Sequence, residues 1–335
     1  MNWNRGFSAR YYMELVDAAT WRDIKRYEVT GGNISKSTGG LMEAADIDAT
    51  DIPATGDVWI RIYLDARQGE TGAREAIFTG LLSAPATDWE GNRKSYKTEC
   101  YSVLKPASDI LLQRGWYAPA GMNGAKQAAK LLSVGAAPVT FEENAPALAS
   151  MIIAESGETN LSMAQKIINA IDWRIRITGT GEIRICPKAA EPEATFDALE
   201  NDLIELSVSD SSDWFSCPNV FRATSGDMTA VARDDDPESP FSTVARGREI
   251  WMEETDCKLN ENEGIGNYAL RRLKEEQAPS RQVSYNRRFV PDIYVGDIIR
   301  LRHPAQGIDG AFRINTQRID LGYGGRTSEE AINEY

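Results

Sequence analysis

Val58-Trp59-Ile60-Arg61-Ile62-Tyr63-Leu64 alternates with period two: Val58, Ile60, Ile62 and Leu64 fall on one face of an extended chain, and Trp59, Arg61 and Tyr63 on the other. β-Branched and aromatic residues dominate it, so it reads as a strand. Working outward, Ser8–Val16, Ile24–Ile34, Glu75–Ser83 and Lys94–Val103 are further short strand-like runs, with Gly31-Gly32 and Gly39-Gly40 as punctuation. Short strands at close spacing predict a small barrel or sandwich over residues 1–103.

The pattern changes after Lys105-Pro106, where Pro106 suits the first turn of a helix. Asn123–Ser133 is a short helix by propensity. In Leu161–Ile171 the residues Ala164, Ile167, Ile168 and Ile171 form one apolar helical stripe. A hairpin follows, Trp173–Ile177 against Glu182–Cys186 around Thr178-Gly179-Thr180-Gly181. Ala189–Ala194 reads as a linker. Strands return at Leu203–Val208 and Asn219–Ala223, followed by the polar loop Asp234–Pro240. A helix is predicted over 265–277, then strands at Arg281–Phe289, Asp297–Arg302 and Gly310–Leu321, and a polar, frayed end from Thr327.

The chain has 335 residues, 42% of them hydrophobic and 26% charged, which fits several folded domains. Its net charge of −13 argues against holding nucleic acid by the phosphates, which needs clustered Lys and Arg. The acidic excess is local. Residues 196–266 carry 17 acids against 5 bases, leaving 33 against 32 elsewhere. That stretch reads as a solvated surface or as the wall of a passage or partner contact. No apolar run is long enough to span a membrane, and Met1–Val16 lacks the apolar core of a signal peptide, so synthesis in a cytoplasm is expected.

Catalytic, cofactor and metal-binding residues are each assigned as none. His303 is the one histidine, placed by sequence in an exposed turn after a strand, so imidazole-based triads and metal sites have little to work with. Cys100, Cys186, Cys217 and Cys257 contain no close pair and read as buried or half-buried thiols. Gly264-Ile265-Gly266-Asn267-Tyr268-Ala269 fits the dinucleotide pattern, but polar Lys258–Glu263 stands where a buried strand should. Asp234-Asp235-Asp236 lacks the spacing of a calcium loop. Fifty acids guarantee chance carboxylate pairs, and none is singled out for glycosidase work. Trp59, Trp89, Trp116, Trp173, Trp214 and Trp251 are scattered, as core or contact anchors are.

The run Cys217-Pro218-Asn219-Val220-Phe221-Arg222-Ala223, then Asp236–Pro240, Ala245-Arg246-Gly247-Arg248, the Tyr268–Gln277 helix and Pro291-Asp292-Ile293-Tyr294-Val295-Gly296-Asp297-Ile298-Ile299-Arg300-Leu301 together resemble the baseplate-hub or tail-hub proteins of tailed bacteriophages, a family that includes the N-terminal part of tail-associated lysins. By order of elements the resemblance spans the whole chain. It implies an α+β, mainly β fold with two small β-barrel domains, 1–103 and 194–248 with 281–326. An inserted α/β domain (104–193), a helical insertion (249–280) and a polar tail (327–335) complete it. It further implies a non-enzymatic homotrimer whose barrels close a pseudo-sixfold ring at the virion tail tip. The partners so implied are the tail tube or distal tail protein, the tape-measure protein and a spike or fibre, with DNA only passing through. Cutting or receptor binding would then belong to other gene products. The competing readings are a glycan- or receptor-binding tail-tip protein and a carboxylate-based cell-wall hydrolase.

Overall fold

The alternating stretch at Val58 lies in the fourth of a run of strands: β1 (Ser8–Val16), β2 (Asp23–Ser37), β3 (Glu43–Ala49), β4 (Val58–Gln68), β5 (Thr71–Leu82), β6 (Ala86–Glu90) and β7 (Arg93–Ser102). The structure is a computed structural model that describes residues 1–52, 56–91, 93–199, 204–212, 214–226, 228–255, 257, 264–277, 281–322 and 326–333. Strand pairing runs β1-β4-β5-β7-β3-β2 and returns from β2 to β1, so the ladder closes on itself. Inside the ring lie Met13, Ile34, Ile47, Ile60, Ile62, Leu64 and Phe78. Burying each of these large side chains stabilises the fold by roughly 1.5–3 kcal/mol. The opposite face of β4 is buried too: Trp59 packs into the neighbouring core, while Arg61 meets Asp23 at 2.7 Å.

The next elements are α1 (Lys105–Asp109), β8 (Tyr117–Ala118), α2 (Gly124–Leu132), β9 (Val139–Phe141), β10 (Ile152–Ile153), α3 (Asn160–Ala170), β11 (Trp173–Ile177) and β12 (Ile183–Pro187). Asn123 caps α2 by accepting from the Lys126 amide, and a Thr159–Ser162 capping box opens α3. The expected hairpin forms with Trp173 opposite Pro187 and Ile177 opposite Ile183, and β9 adds in parallel. The apolar stripe Ala164, Ile167 and Ile168 packs with Leu131, Leu132 and Ile175.

Then come β13 (Pro192–Asp197) and β14 (Ile204–Ser212) and, after a second unit, β18 (Arg281–Arg288), β19 (Ile298–His303), β20 (Ile308–Asp320) and β21 (Arg326–Asn333). These six pair in the order β13-β19-β20-β21-β18-β14. β20 also pairs with β2, from Asn33 opposite Asp320 to Ser37 opposite Thr316, which joins both strand sets into one 13-stranded sheet. β2 serves both sets, with a bulge between Val29 and Gly31 where it bends; at the next residue, Gly32, φ is 124° and a Cβ would stand 2.0 Å from the Asp46 carbonyl.

Residues Asp210–Val283 form a separate compact unit. In it β15 (Val220–Ser225) lies between β16 (Met228–Arg233) and β17 (Trp251–Glu254), and α4 (Thr243–Arg246) and α5 (Ile265–Gln277) complete the elements. Tyr268, Ala269 and Leu273 of α5 cover Phe221, Ala223 and Ala232.

Three expectations are corrected. His303 is 2% exposed as the last residue of β19 opposite Ile308, on the buried face of Ile299 and Leu301. Residues 327–333 belong to β21, because Thr327, Glu329 and Ala331 alternate inward and Arg287, Tyr285 and Gln317 on other strands take up the Glu329 carboxylate. The presumed linker already starts β13 at Pro192, pairing in parallel with β19. Leu203 and Lys258–Glu263 lie outside the described residues.

Candidate functional site

One face of the strands β3-β2-β20-β21-β18-β14 carries small polar side chains. Alternation sends Ser35 and Ser37 of β2, Thr316 and Arg318 of β20, Ser328 and Glu330 of β21, Ser284 and Asn286 of β18, and Ser207 and Ser209 of β14 to the same side. Together with Leu41, Met42 and Val208 they line a cleft of about 900 Å³. Ser328 donates to Asn286 at 2.7 Å and Thr316 to Glu330 at 3.2 Å. The two arginines here are paired: Arg318 stands 3.6 Å from Asp320, and Arg326 2.6 Å from Glu205. The face is wide and hydroxylated, and among the described residues it gathers no cluster of cations.

Beneath it, on the core side, a row of polar residues crosses five strands. Register places Glu43 opposite Lys36, Lys36 opposite Gln317, and Gln317 opposite Glu329. Lys36 and Glu43 are 2.9 Å apart, both almost fully buried, and Lys36 also donates to the Ile77 carbonyl. Glu329 accepts from Arg287, Tyr285 and Gln317 at 2.6–2.8 Å, and the Arg287 and Glu329 side chains are 0% exposed. Burial raises the Glu43 carboxyl above the ordinary glutamate value against the pull of Lys36. Burial also pushes the Tyr285 phenol well up, with the Glu329 charge adding to it. It works to lower Arg287 as well, but the Glu329 carboxylate outweighs it and holds the guanidinium above its usual value.

This row crosses the seam where the closed ring meets the second strand set. A slip of one residue there would turn five buried polar groups to the wrong face, so the row fixes register. A second set of ion pairs ties the α/β part to the same strands: Arg174 meets Asp297 at 2.6 Å and Glu193 at 3.4 Å. The hairpin tip docks on the ring through Thr79 donating to the Gly179 carbonyl at 2.8 Å, and through Trp21 and Arg61 donating to the Thr180 carbonyl.

Among the described residues no group of three or more His, Cys, Asp or Glu is placed to hold a metal. Cys100, Cys217 and Cys257 are buried and Cys186 half-buried, and burial raises the Cys100 thiol. Asp234, Asp235 and Asp236 sit in a surface loop stitched by Ser239, Arg233 and Thr243. Trp59 and Trp173 are core, whereas Trp89, Trp214 and Trp251 are exposed. The polar face was missed by the sequence reading, although the spacing Ser35-x-Ser37, Ser207-x-Ser209 and Ser284-x-Asn286 carries its signal.

The mainly β fold of this chain is similar to that of solved phage tail proteins. The 43 kDa tail protein of prophage MuSo2 from Shewanella oneidensis superposes with a TM-score of 0.65 at 12% identity, over 97% of this chain and 98% of that one. A tail protein from Neisseria meningitidis MC58 gives 0.65 at 14%, over 97% and 96%. The E. coli c3393 protein, a component of the type VI secretion system with structural similarity to T4 bacteriophage tail proteins gp27 and gp5, gives 0.52 at 9%, over 96% and 77%. No family model matches the chain, and no curated protein matches it. No described helix is long and apolar enough to cross a membrane.

Proposed function

We propose that this chain is a structural, non-enzymatic hub of a phage or phage-like tail tip. Three copies close a pseudo-sixfold ring that joins the tail tube to the tip and surrounds the passage for DNA. The observation that carries the reading is the continuous sheet in which a closed strand ring and a second six-strand set stand side by side, sharing one hydroxyl-rich face. Two such sets per chain and three chains make six staves, and a heterologous contact whose rotation closes yields a ring rather than a filament. The likeness in fold to phage tail proteins supports the tail assignment. The Ser and Thr face is the wall we assign to the lumen. Hydroxyls hydrogen-bond water, and a face without clustered cations offers phosphates no counterions to release, so DNA slides past it. Tail tube, tape-measure and spike or fibre proteins are the partners of this reading.

The test is a density map of the intact particle. It should hold three copies around the channel, with Ser35, Ser284 and Ser328 turned to the axis. Any other copy number, or that face turned outward, removes the proposal.

A further inference from the structure

Among the described residues, eight of the eighteen large apolar side chains left exposed lie in the unit Asp210–Val283. That density in so short a segment marks a contact surface. Its sharpest part is Trp214, 54% exposed, beside Phe215, 73% exposed. Trp214 stacks on Phe241 with centroids 5.5 Å apart, Arg248 lies 4.0 Å over the Phe215 ring, and Arg246 lies 5.0 Å over Phe241. Arg246 donates to the Cys217 and Trp214 carbonyls and Arg248 to the Phe215 carbonyl. Among the described residues neither guanidinium meets a carboxylate, although this is the most acidic part of the chain.

The matching charges are in the same unit. In the Asp234–Pro240 loop, Asp234 is held by Ser239 and Gln277, and Asp235 by Arg233. Asp236 and Glu238 are exposed, and among the described residues neither pairs with a cation; the Asp236 carboxylate accepts the Glu238 amide. Each copy thus carries an aromatic patch with two positive charges and a loop with two negative ones, at the same two-residue spacing, and among the described residues none of the four is in an ion pair.

We propose that the Trp214–Phe215–Arg246–Arg248 patch docks a second copy of this chain, taking Asp236 and Glu238 of the neighbour as counter-charges. Trp and Arg are the residue types that dominate binding hot spots, and opposite charges at the rim set register and suppress wrong partners. The contact would add to the one by which the strand sets close the ring of the hub reading, and it rests on that reading only for its place in the particle.

Sedimentation velocity of the full chain over rising concentration tests it. The wild type should self-associate. Arg248→Glu alone and the pair Asp236→Lys with Glu238→Lys should each weaken association more than about tenfold. An equimolar mixture of the two charge-reversed chains should restore it. The loop variant alters only exposed side chains, so it remains informative where the Arg248 variant misfolds. A wild type that stays monomeric throughout, association untouched by both reversals, or a monomer whose patch binds a sulfated oligosaccharide instead overturns the proposal. Association by another face would end this contact and leave the hub reading standing. Association through this patch by a chain absent from the tail tip would do the reverse.

Discussion

Glu43 and Lys36 face each other at 2.9 Å with almost no access to water, and the two partners are not equivalent. Burial raises the Glu43 carboxyl, so the folded chain holds that proton more tightly than the unfolded chain does. The resulting stabilisation is complete below the ordinary glutamate value of about 4.3 and is lost as pH rises through the raised folded value. Glu43→Gln keeps the neutral shape at every pH. Variant and wild type should therefore have equal urea midpoints in acid, with the variant ahead at neutral pH; a wild type that overtakes the variant as pH rises would sink the idea. Lys36→Met leaves a buried carboxylate alone and should cost about 3–5 kcal/mol at neutral pH by the same measurement. Arg287→Met strands Glu329, whose remaining donors are Tyr285 and Gln317, and should cost a similar amount. None of these pairings was legible in the sequence. Lys36 sits between two serines and Glu329 in a polar run, and only strand register makes them neighbours.

The hairpin β11–β12 shows how far an element can be read locally. Its strands, turn and partner residues follow from alternation around Thr178-Gly179-Thr180-Gly181, and the observed register agrees. Its destination does not follow, because the tip lands on β5, about a hundred residues earlier in the chain. A Cβ at Gly179 would stand 1.7 Å from the Ala76 carbonyl, and the facing atom is backbone that has little room to move. Gly179→Ala should lift the tip, break its bonds to Thr79, Trp21 and Arg61, and cost more than about 2 kcal/mol. Trp21 packs edge-on to Trp59, so a shift in tryptophan emission together with a lower urea midpoint reports the undocking. Unchanged emission and stability would mean that the tip adapts without loss. Elements carried by local pattern, such as β4, α3 and α5, were readable for the same reason as the hairpin. β21 and the end of β2, residues 35–37, were not: polar residues fill the buried face in the first case, and in the second the inward residue is Lys36.

At the scale of the whole molecule, the question is what a hydroxyl-lined sheet face does when it is repeated around an axis. If it lines the DNA passage, its lack of clustered cations is what keeps the polymer moving. Ser284→Arg with Ser328→Arg adds two exposed guanidiniums per copy on adjacent strands, without touching the buried row beneath. Each phosphate engaged adds about 0.9 to the slope of log affinity against log salt, so retention of DNA should be strong in dilute salt and vanish in concentrated salt. Particles carrying the double variant should assemble in normal numbers and release their genome slowly at low ionic strength, recovering as salt is raised. Ser284→Asn with Ser328→Asn, which keeps the face polar and uncharged, should release at the wild-type rate at every salt. The reading requires both halves of that result. Slow release by both variants alike would point to steric obstruction, and normal release by the arginine variant at low salt would show that DNA never runs along this face.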